Sequence, residues 1–271
     1  MLVEFPLLDF LKILQALRQD YNATVIYDLL DDWKTSLGAH WYATGAEEEI
    51  IASSQILVAT VPLLAKRLET TSGRKPLLLP NAVNDRIFNP EIIYARPLDL
   101  PESKRIVIYV GALWGEWFDW NLLNQAAERY PDAAFVLIGD YRGYAKQLAS
   151  NIHLLGLKAQ RDLSAYLAYA DVAIIPWKVN EITQATSPLK VYEYLSMRLP
   201  VVAPRLDTLD QIPGISLARD REDFIELVGR VSRNLVDQKK TAAFIGLNNW
   251  NERVNTLIGY IKAAQNTAME K

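Results

Sequence analysis

Short runs that are apolar at nearly every position alternate with stretches of helical period along this 271-residue chain. The runs are "ATVIYD" (23–28), "ILVAT" (56–60), "PLLLP" (76–80), "RIVIYVG" (105–111), "AAFVLIGD" (133–140), "NIHLLG" (151–156), "DVAIIPW" (171–177) and "PVVAP" (200–204). A strand without polar alternation is covered on both faces, as in a parallel sheet flanked by helices. Helical patterns at 7–18, 45–53, 61–70, 119–130, 161–170, 188–198 and 222–236 supply the crossovers. Strand and helix in this order build right-handed βαβ units. The chain is predicted to be α/β with doubly wound parallel sheet.

The stretch "NAVNDRIFNPEIIYARPLDLPESK" (81–104) has no clear period and carries three prolines. A boundary is expected near 85–104. Five strand runs follow it, enough for a near-complete doubly wound domain, whereas only three precede it. The division predicted is a partial Rossmann-like domain at 1–95 and a ligand-binding domain at 96–240. C-terminal helices at 241–271, broken around Asn248-Asn249, are expected to pack back toward the first domain.

Half of the residues are hydrophobic, so disorder is excluded as a general description. A formal charge of −3 leaves no basic excess for phosphate neutralisation along a nucleic acid, and none is expected as a partner. With no cysteine, disulfides and thiolate metal sites are excluded. The N-terminus carries Glu4 and Asp9 and no basic leader, and no apolar run approaches the roughly 20 residues of a bilayer span. A soluble, cytoplasmic protein is expected.

Ligands of doubly wound sheets sit where strand exits meet helix N-termini. The exit "YVGALWGEW" (109–117) offers Gly111 and Gly115 for sharp turns, and Trp114 beside them for stacking on a sugar or base. Trp117 and Trp120 read as core aromatics of a helix start. The exit "LIGDYRGY" (137–144) offers Asp140 and Arg142, and "HLLGLKAQRDL" (153–163) presents backbone groups after Leu155-Gly156. The stretch "TSPLKVYEYLS" (186–196) reads as a helix start with Ser187 at the N-cap and Pro188 in the first turn. A capping box would place Glu or Gln three residues after the cap, but Lys190 stands there. A cation beside the positive helix end is disfavoured by about 0.3–1 kcal/mol unless an anion shares the spot. Glu193, one turn on, could accept from a ribose diol. Phosphate plus ribose is the ligand that this pattern suggests, against the plainer reading of a surface Lys–Glu pair worth about 0.2–0.5 kcal/mol.

The segments "VIYDLLDDW" (25–33), "LPNAVNDRIFNP" (79–90), "YVGALWGEWFDW" (109–120), "PDAAFVLIGD" (131–140), "NIHLLGLK" (151–158), "SPLKVYEYLSMRLPVVAP" (187–204) and "NNWNERVNTLI" (248–258) carry a family resemblance. In this order and spacing they resemble GT-B glycosyltransferases related to family 4 (glycosyl transferases group 1), especially bacterial polysaccharide and teichuronic-acid-type enzymes. The resemblance implies a nucleotide-diphosphate-sugar donor on the second domain and a carbohydrate or lipid-linked acceptor on the first. It further implies retention of configuration, cell-surface polysaccharide synthesis, and a place at the inner face of the membrane. By position, Gly111, Ser187, Leu189 and Lys190 look like the diphosphate site, Glu193 the ribose site, and Leu155 with Gly156 the base site. No cofactor or metal is implied.

Three departures stand out. The second glutamate that many relatives carry eight positions before the ribose-binding one is Ala185 here. Residues 112–122 lack the Arg and Lys that grip the diphosphate, leaving Lys190, with Arg142 or Arg161, as the side-chain cations. The first domain is short of the family's, and its unpaired sheet edge is expected to take a second copy or a partner strand at 23–80. A non-catalytic nucleotide-sugar-binding module and a nucleotide-sugar 2-epimerase are the alternatives. Asp28, Asp31 and Asp32 resemble the metal-holding pair of GT-A enzymes, yet they follow a strand of GT-B pattern and read as a polar loop. His40 and His153 have no triad partners in the sequence.

Overall fold

A computed structural model of the chain describes residues 1–21, 23–142 and 147–269. Contacts divide it into two compact units. The first comprises Met1–Asn81, Gln184–Ser187 and the residues from Asn251 on; the second comprises Ala82–Thr183 and Pro188–Trp250. The units are therefore interleaved along the sequence rather than consecutive.

The first unit contains β1 (Leu2–Val3), α1 (Leu8–Tyr21), β2 (Ile26–Leu29), α2 (Thr44–Ser53), β3 (Ile56–Ala59), α3 (Pro62–Ser72) and β4 (Leu77–Leu78). The four strands pair in parallel in sequence order, β1-β2-β3-β4. Right-handed crossovers between consecutive neighbours place every connecting helix on one face. Leu11 and Leu14 of α1, Ile50 and Ile51 of α2, and Leu64 and Leu68 of α3 pack there on Tyr27, Leu29 and Leu57. The opposite face would stay wet without a further element. The C-terminal helix Trp250–Met269 supplies it, setting Leu257, Ile261 and Ala264 on Ile26, Ile56 and Val58. A fully buried side chain of this size contributes about 1.5–3 kcal/mol. Strand β1 has no counterpart among the sequence-predicted runs, because two residues carry no period.

The second unit contains β5 (Arg105–Val110), α4 (Trp120–Arg129), β6 (Ala133–Ile138), β7 (Ile152–Gly156), α5 (Gln160–Ala168), β8 (Val172–Ile174), α6 (Glu181–Gln184, at its margin), α7 (Leu189–Ser196), β9 (Val201–Pro204), β10 (Ile215–Ala218), α8 (Arg221–Arg230) and α9 (Gln238–Leu247). Its six strands lie in the order β10-β9-β8-β5-β6-β7. The chain enters at the centre, winds outward to β7, and returns to the other side at β8. This is the doubly wound order, with its switch point between β5 and β8. Strands β5 and β6 are buried along nearly their whole length, as their continuous apolar runs require. The sixth strand, β10, was not predicted: it is an edge strand, half-exposed over "ISL", so no continuous apolar run marks it.

Helix ends follow local chemistry in most places. Asp119, Asp220 and Asp237 cap α4, α8 and α9, each accepting from a backbone N–H in the first turn. The Arg233 guanidinium donates to the carbonyls of Leu167 (2.9 Å) and Ala170 (2.8 Å) at the C-terminal end of α5. Two expectations are corrected. Trp117 lies in the loop before α4 rather than in the helix, since Asp119 is the cap. Ser187 does not cap α7: Pro188 holds that position with no side-chain bond, and the Ser187 hydroxyl accepts from Asn81 N at 3.2 Å instead. Among the described residues no helix is long and apolar enough to cross a membrane.

A buried polar network braces the first unit. Glu47, 3% exposed, accepts from the Tyr27 hydroxyl at 2.9 Å, the Tyr42 hydroxyl at 2.7 Å and Arg67 Nη2 at 2.8 Å. Arg67 also pairs with Asp32. Burial and the Glu47 carboxylate together hold the Tyr27 hydroxyl well above its ordinary range. Replacing Arg67 by Ala strips a buried carboxylate of its cation, and the expected loss is about 3–5 kcal/mol in urea unfolding. The double change Arg67→Met with Glu47→Gln is expected to recover most of that loss.

Candidate functional site

The carboxyl ends of β5, β6 and β7 open on a cleft of about 360 Å³ within the second unit. Its walls come from Val110, Gly111, Ala112 and Trp114 after β5, and Ile138, Gly139 and Asp140 after β6. Leu157, Lys158, Gln160 and Leu163 follow β7, and Lys190 enters from α7. This is where a doubly wound sheet binds ligands.

Two glycines let the strand exits approach each other. Gly139 has φ +155, and a Cβ there would lie 1.8 Å from the Gly111 carbonyl oxygen. The Gly111 N–H in turn donates to the Ile138 carbonyl at 2.9 Å. Only the missing side chain permits this contact. The Tyr109 hydroxyl steadies the loop, donating to the Ala112 carbonyl at 3.2 Å and accepting from Trp177 Nε1 at 3.1 Å.

Helix α7 is tied to the switch point by Tyr194. Its fully buried hydroxyl accepts from the Val110 N–H at 2.7 Å and faces the Val110 carbonyl at 3.3 Å. Burial drives this hydroxyl's pKa far above its ordinary value, so it stays protonated. Glu193 is 1% exposed and sits beside Lys190, whose Nζ lies 2.8 Å from Oε2. That approach is an ion pair outside hydrogen-bond geometry, so Oε2 keeps unused acceptor capacity. Oε1 accepts a long bond, 3.3 Å, from Gln160 Nε2. A surface Lys–Glu pair would have both partners in water. In this pair the Lys190 side chain is 25% exposed and that of Glu193 2%.

The structure gathers some of the sequence-predicted residues and separates others. Gly111, Trp114, Asp140 and Lys190 line the one cleft, and Glu193 adjoins it through Lys190. Arg142 stacks its guanidinium over Trp114, 3.5 Å from the ring centroid. Leu155 and Gly156 end β7 just before the lining residues Leu157 and Lys158, and the Gly156 carbonyl is taken by the Gly139 N–H at 3.0 Å. Leu189 opens α7, and Ser187 belongs to the first unit. Arg161 extends into solvent with only Asp162, 3.9 Å away, as a partner among the described ion pairs. Ala185 is 1% exposed and packs in the first unit's core.

Lys158 and Gln160 were not singled out from the sequence, although they lie in the quoted exit, two and four residues after Gly156. Lys158 donates to Asp99 Oδ2 at 2.6 Å, and the Tyr166 hydroxyl donates to Oδ1 at 2.7 Å. The lysine bond holds the Asp99 carboxyl below its ordinary range and keeps Lys158 protonated above its own. Asp99 lies in the linker, where no motif marks it.

In the first unit Asp28 lies on β2 with one carboxylate oxygen buried and without a hydrogen bond. Burial, then the charge of Glu4, pushes its pKa from 3.8 up to about 6. Glu4 follows Val3, which registers with Tyr27, so the two carboxyls come alongside each other. Burial also raises Asp31, which accepts from the Thr186 hydroxyl at 3.4 Å, while Asp32 pairs with Arg67. Among the described residues no set of three or more His, Asp or Glu side chains converges as metal ligands. His40 is exposed, and His153 lies on β7 opposite Val136.

This architecture has the fold of GT-B glycosyltransferases, as a sucrose-phosphate synthase from Thermosynechococcus elongatus shows with a TM-score of 0.70 at 17% identity, covering 97% of this chain and 73% of the other. A trehalose 6-phosphate synthase from Burkholderia multivorans gives a TM-score of 0.71 at 13% identity over 98% of this chain and 72% of the other. Anabaena HepE in complex with UDP-glucose gives 0.59 at 13% identity, over 97% and 77%. Residues 104–234 match the family model of glycosyl transferases group 1. Among curated sequences, a putative teichuronic acid biosynthesis glycosyltransferase of Bacillus subtilis is 23% identical over 207 residues. That match covers 69% of this chain and 52% of the relative, so the chain spans about half of that protein's length.

Two outcomes follow from the geometry. Gly139→Ala must push the Gly111 carbonyl away, and thermal unfolding is expected to show a loss of about 1–3 kcal/mol. For Asp28, the native pKa lies above the unfolded one, so the folded state binds more protons between the two. Stability from this carboxyl is full below pH ~4 and is lost as pH rises through ~6. Asp28→Asn is therefore expected to stabilise by up to about 3 kcal/mol at pH 7 and to change little at pH 4. Urea unfolding at the two pH values checks this.

Proposed function

We propose that the chain is the donor-binding portion of, or itself, a glycosyltransferase moving a sugar from a nucleotide-diphosphate sugar to a carbohydrate or lipid-linked acceptor in cell-surface polysaccharide synthesis. The observation that carries this is Glu193: a carboxylate 1% exposed, with spare acceptor capacity, beside Lys190 at the N-terminal turn of α7. Burying a carboxylate that is only partly satisfied is costly, and a ribose diol would complete its hydrogen bonds. Lys190 and the first-turn N–H groups of α7 would face the diphosphate, with Gly111 admitting its close approach. The UDP-glucose in the Anabaena HepE structure supports the donor class.

In this reading the cleft acts on the leaving group. Negative charge grows on the diphosphate oxygens as the sugar departs, and fixed donors there lower the barrier. Removing one such donor in comparable sites costs about 3–4 kcal/mol. Glu193 orients the donor and does not react. Retention of configuration would need no side-chain general base. A non-catalytic binding module is the second reading. It is favoured by Ala185, which puts an apolar, buried residue where relatives carry a second glutamate.

UDP, GDP, ADP and dTDP are to be titrated against the protein and Lys190→Ala. At least one is expected to bind, about tenfold more weakly in the variant. Unchanged affinity for every nucleotide would overturn the diphosphate assignment. Donor consumption dependent on a carbohydrate acceptor marks the transferase. Binding without consumption marks the module, and sugar interconversion without acceptor marks an epimerase.

A further inference from the structure

Among the described residues, every charged side chain on the cleft wall is already paired. Lys158 is held by Asp99 at 2.6 Å, Lys190 by Glu193 at 2.8 Å, and Asp140 faces Arg142 Nε at 3.6 Å. Among the described residues the wall therefore presents no uncompensated cation to a diphosphate, which carries at least two negative charges. One pair has to open or share its cation when such a ligand enters.

The three pairs differ in what opening them costs. Lys158 is locked in a network with Asp99 and the Tyr166 hydroxyl. Withdrawing Lys190 would leave Glu193, 2% exposed in its side chain, as a buried charge with one long bond from Gln160. Arg142 is different. Its side chain is 61% exposed, its pairing with Asp140 is loose, and its guanidinium rests on the Trp114 ring 3.5 Å from the centroid. Releasing it leaves Asp140 47% exposed in its side chain and still accepting the Arg142 backbone N–H at 2.9 Å. Arg142 also holds φ +46, a backbone conformation uncommon outside glycine that aims it back over the loop carrying Trp114.

We infer that Arg142 is the mobile cation of this cleft: it leaves Trp114 when a nucleoside diphosphate binds and grips the terminal phosphate. It thereby replaces the Arg and Lys that residues 112–122 lack. This rests on the reading of the cleft as a nucleoside-diphosphate site. The planar guanidinium suits both of its positions, flat on an indole face in the free state and forked onto phosphate oxygens in the bound one. The vacated indole face becomes available to the sugar attached to that phosphate. Arg161, 84% exposed in its side chain beside Asp162, has no comparable route.

The test compares nucleoside, monophosphate and diphosphate of whichever base the wild-type protein binds, by calorimetry, with tryptophan emission recorded in parallel. Wild type is expected to prefer the diphosphate and to change its emission on binding it. Arg142→Gln is expected to bind the diphosphate about tenfold or more weakly while nucleoside affinity stays within about twofold, because one charge-assisted contact is lost. Arg142→Lys is expected to fall between them. The emission change is expected to vanish in Trp114→Phe, which assigns it to that ring. If wild type binds no nucleoside diphosphate, the reading of the cleft itself fails. If it binds one and Arg142→Gln keeps the full preference for the diphosphate, the cleft stands and the role of Arg142 is overturned. Unaltered thermal unfolding of Arg142→Gln, expected for an exposed side chain, ensures that the comparison reports on binding.

Discussion

The Tyr194 hydroxyl bonded to the Val110 backbone is the contact on which the site depends. Val110 is the last residue of β5, the strand at which the chain enters its sheet, and Tyr194 lies on α7. The bond sets the N-terminal turn of that helix, with Lys190, against the loop that starts at Gly111. Because the hydroxyl is buried completely, losing either partner would leave a polar group without water, so the contact is maintained. The close approach of Gly111 and Gly139 then brings the second strand exit, with Asp140, to the same opening.

On this frame the electrostatics are arranged as pairs rather than as a basic patch. Lys158 with Asp99, Lys190 with Glu193, and Arg142 with Asp140 balance one another among the described residues of the cleft. Neutral pairing lowers the cost of holding cations at a helix N-terminus before a ligand arrives. It also leaves the cations unequally exposed, from Lys158 in a three-member network, 24% exposed in its side chain, to Arg142 at 61%. Ala185 adds a contrast: it is buried and packs in the core of the first unit.

Much of the fold was legible because long buried strands advertise themselves. The runs at 105–111 and 133–140 became β5 and β6, since parallel strands covered on both faces admit few polar residues. The elements that escaped notice, β1 and β10, are a two-residue strand and a half-exposed edge strand. The first is too short to carry a period, and the second, half-exposed, shows no continuous apolar run. The Ser187 cap failed for a different reason. Its propensity for the N-cap is local, but the hydroxyl found a partner in Asn81, far away in sequence. Tertiary contacts override a cap preference worth about 1 kcal/mol.

By itself the sequence determined the architectural class, the strand exits at Gly111 and Asp140, and the presence of Lys190 and Glu193 on one helix face. These follow from hydrophobic period, from glycine at sharp turns, and from the fixed spacing of a helix, all of which are local. Only the tertiary structure decided that Glu193 is buried, that Lys158 belongs to the cleft through Asp99, and that Arg142 rather than Arg161 stands beside Trp114. Burial and charge pairing depend on which distant segments meet, and no spacing along a single segment encodes that.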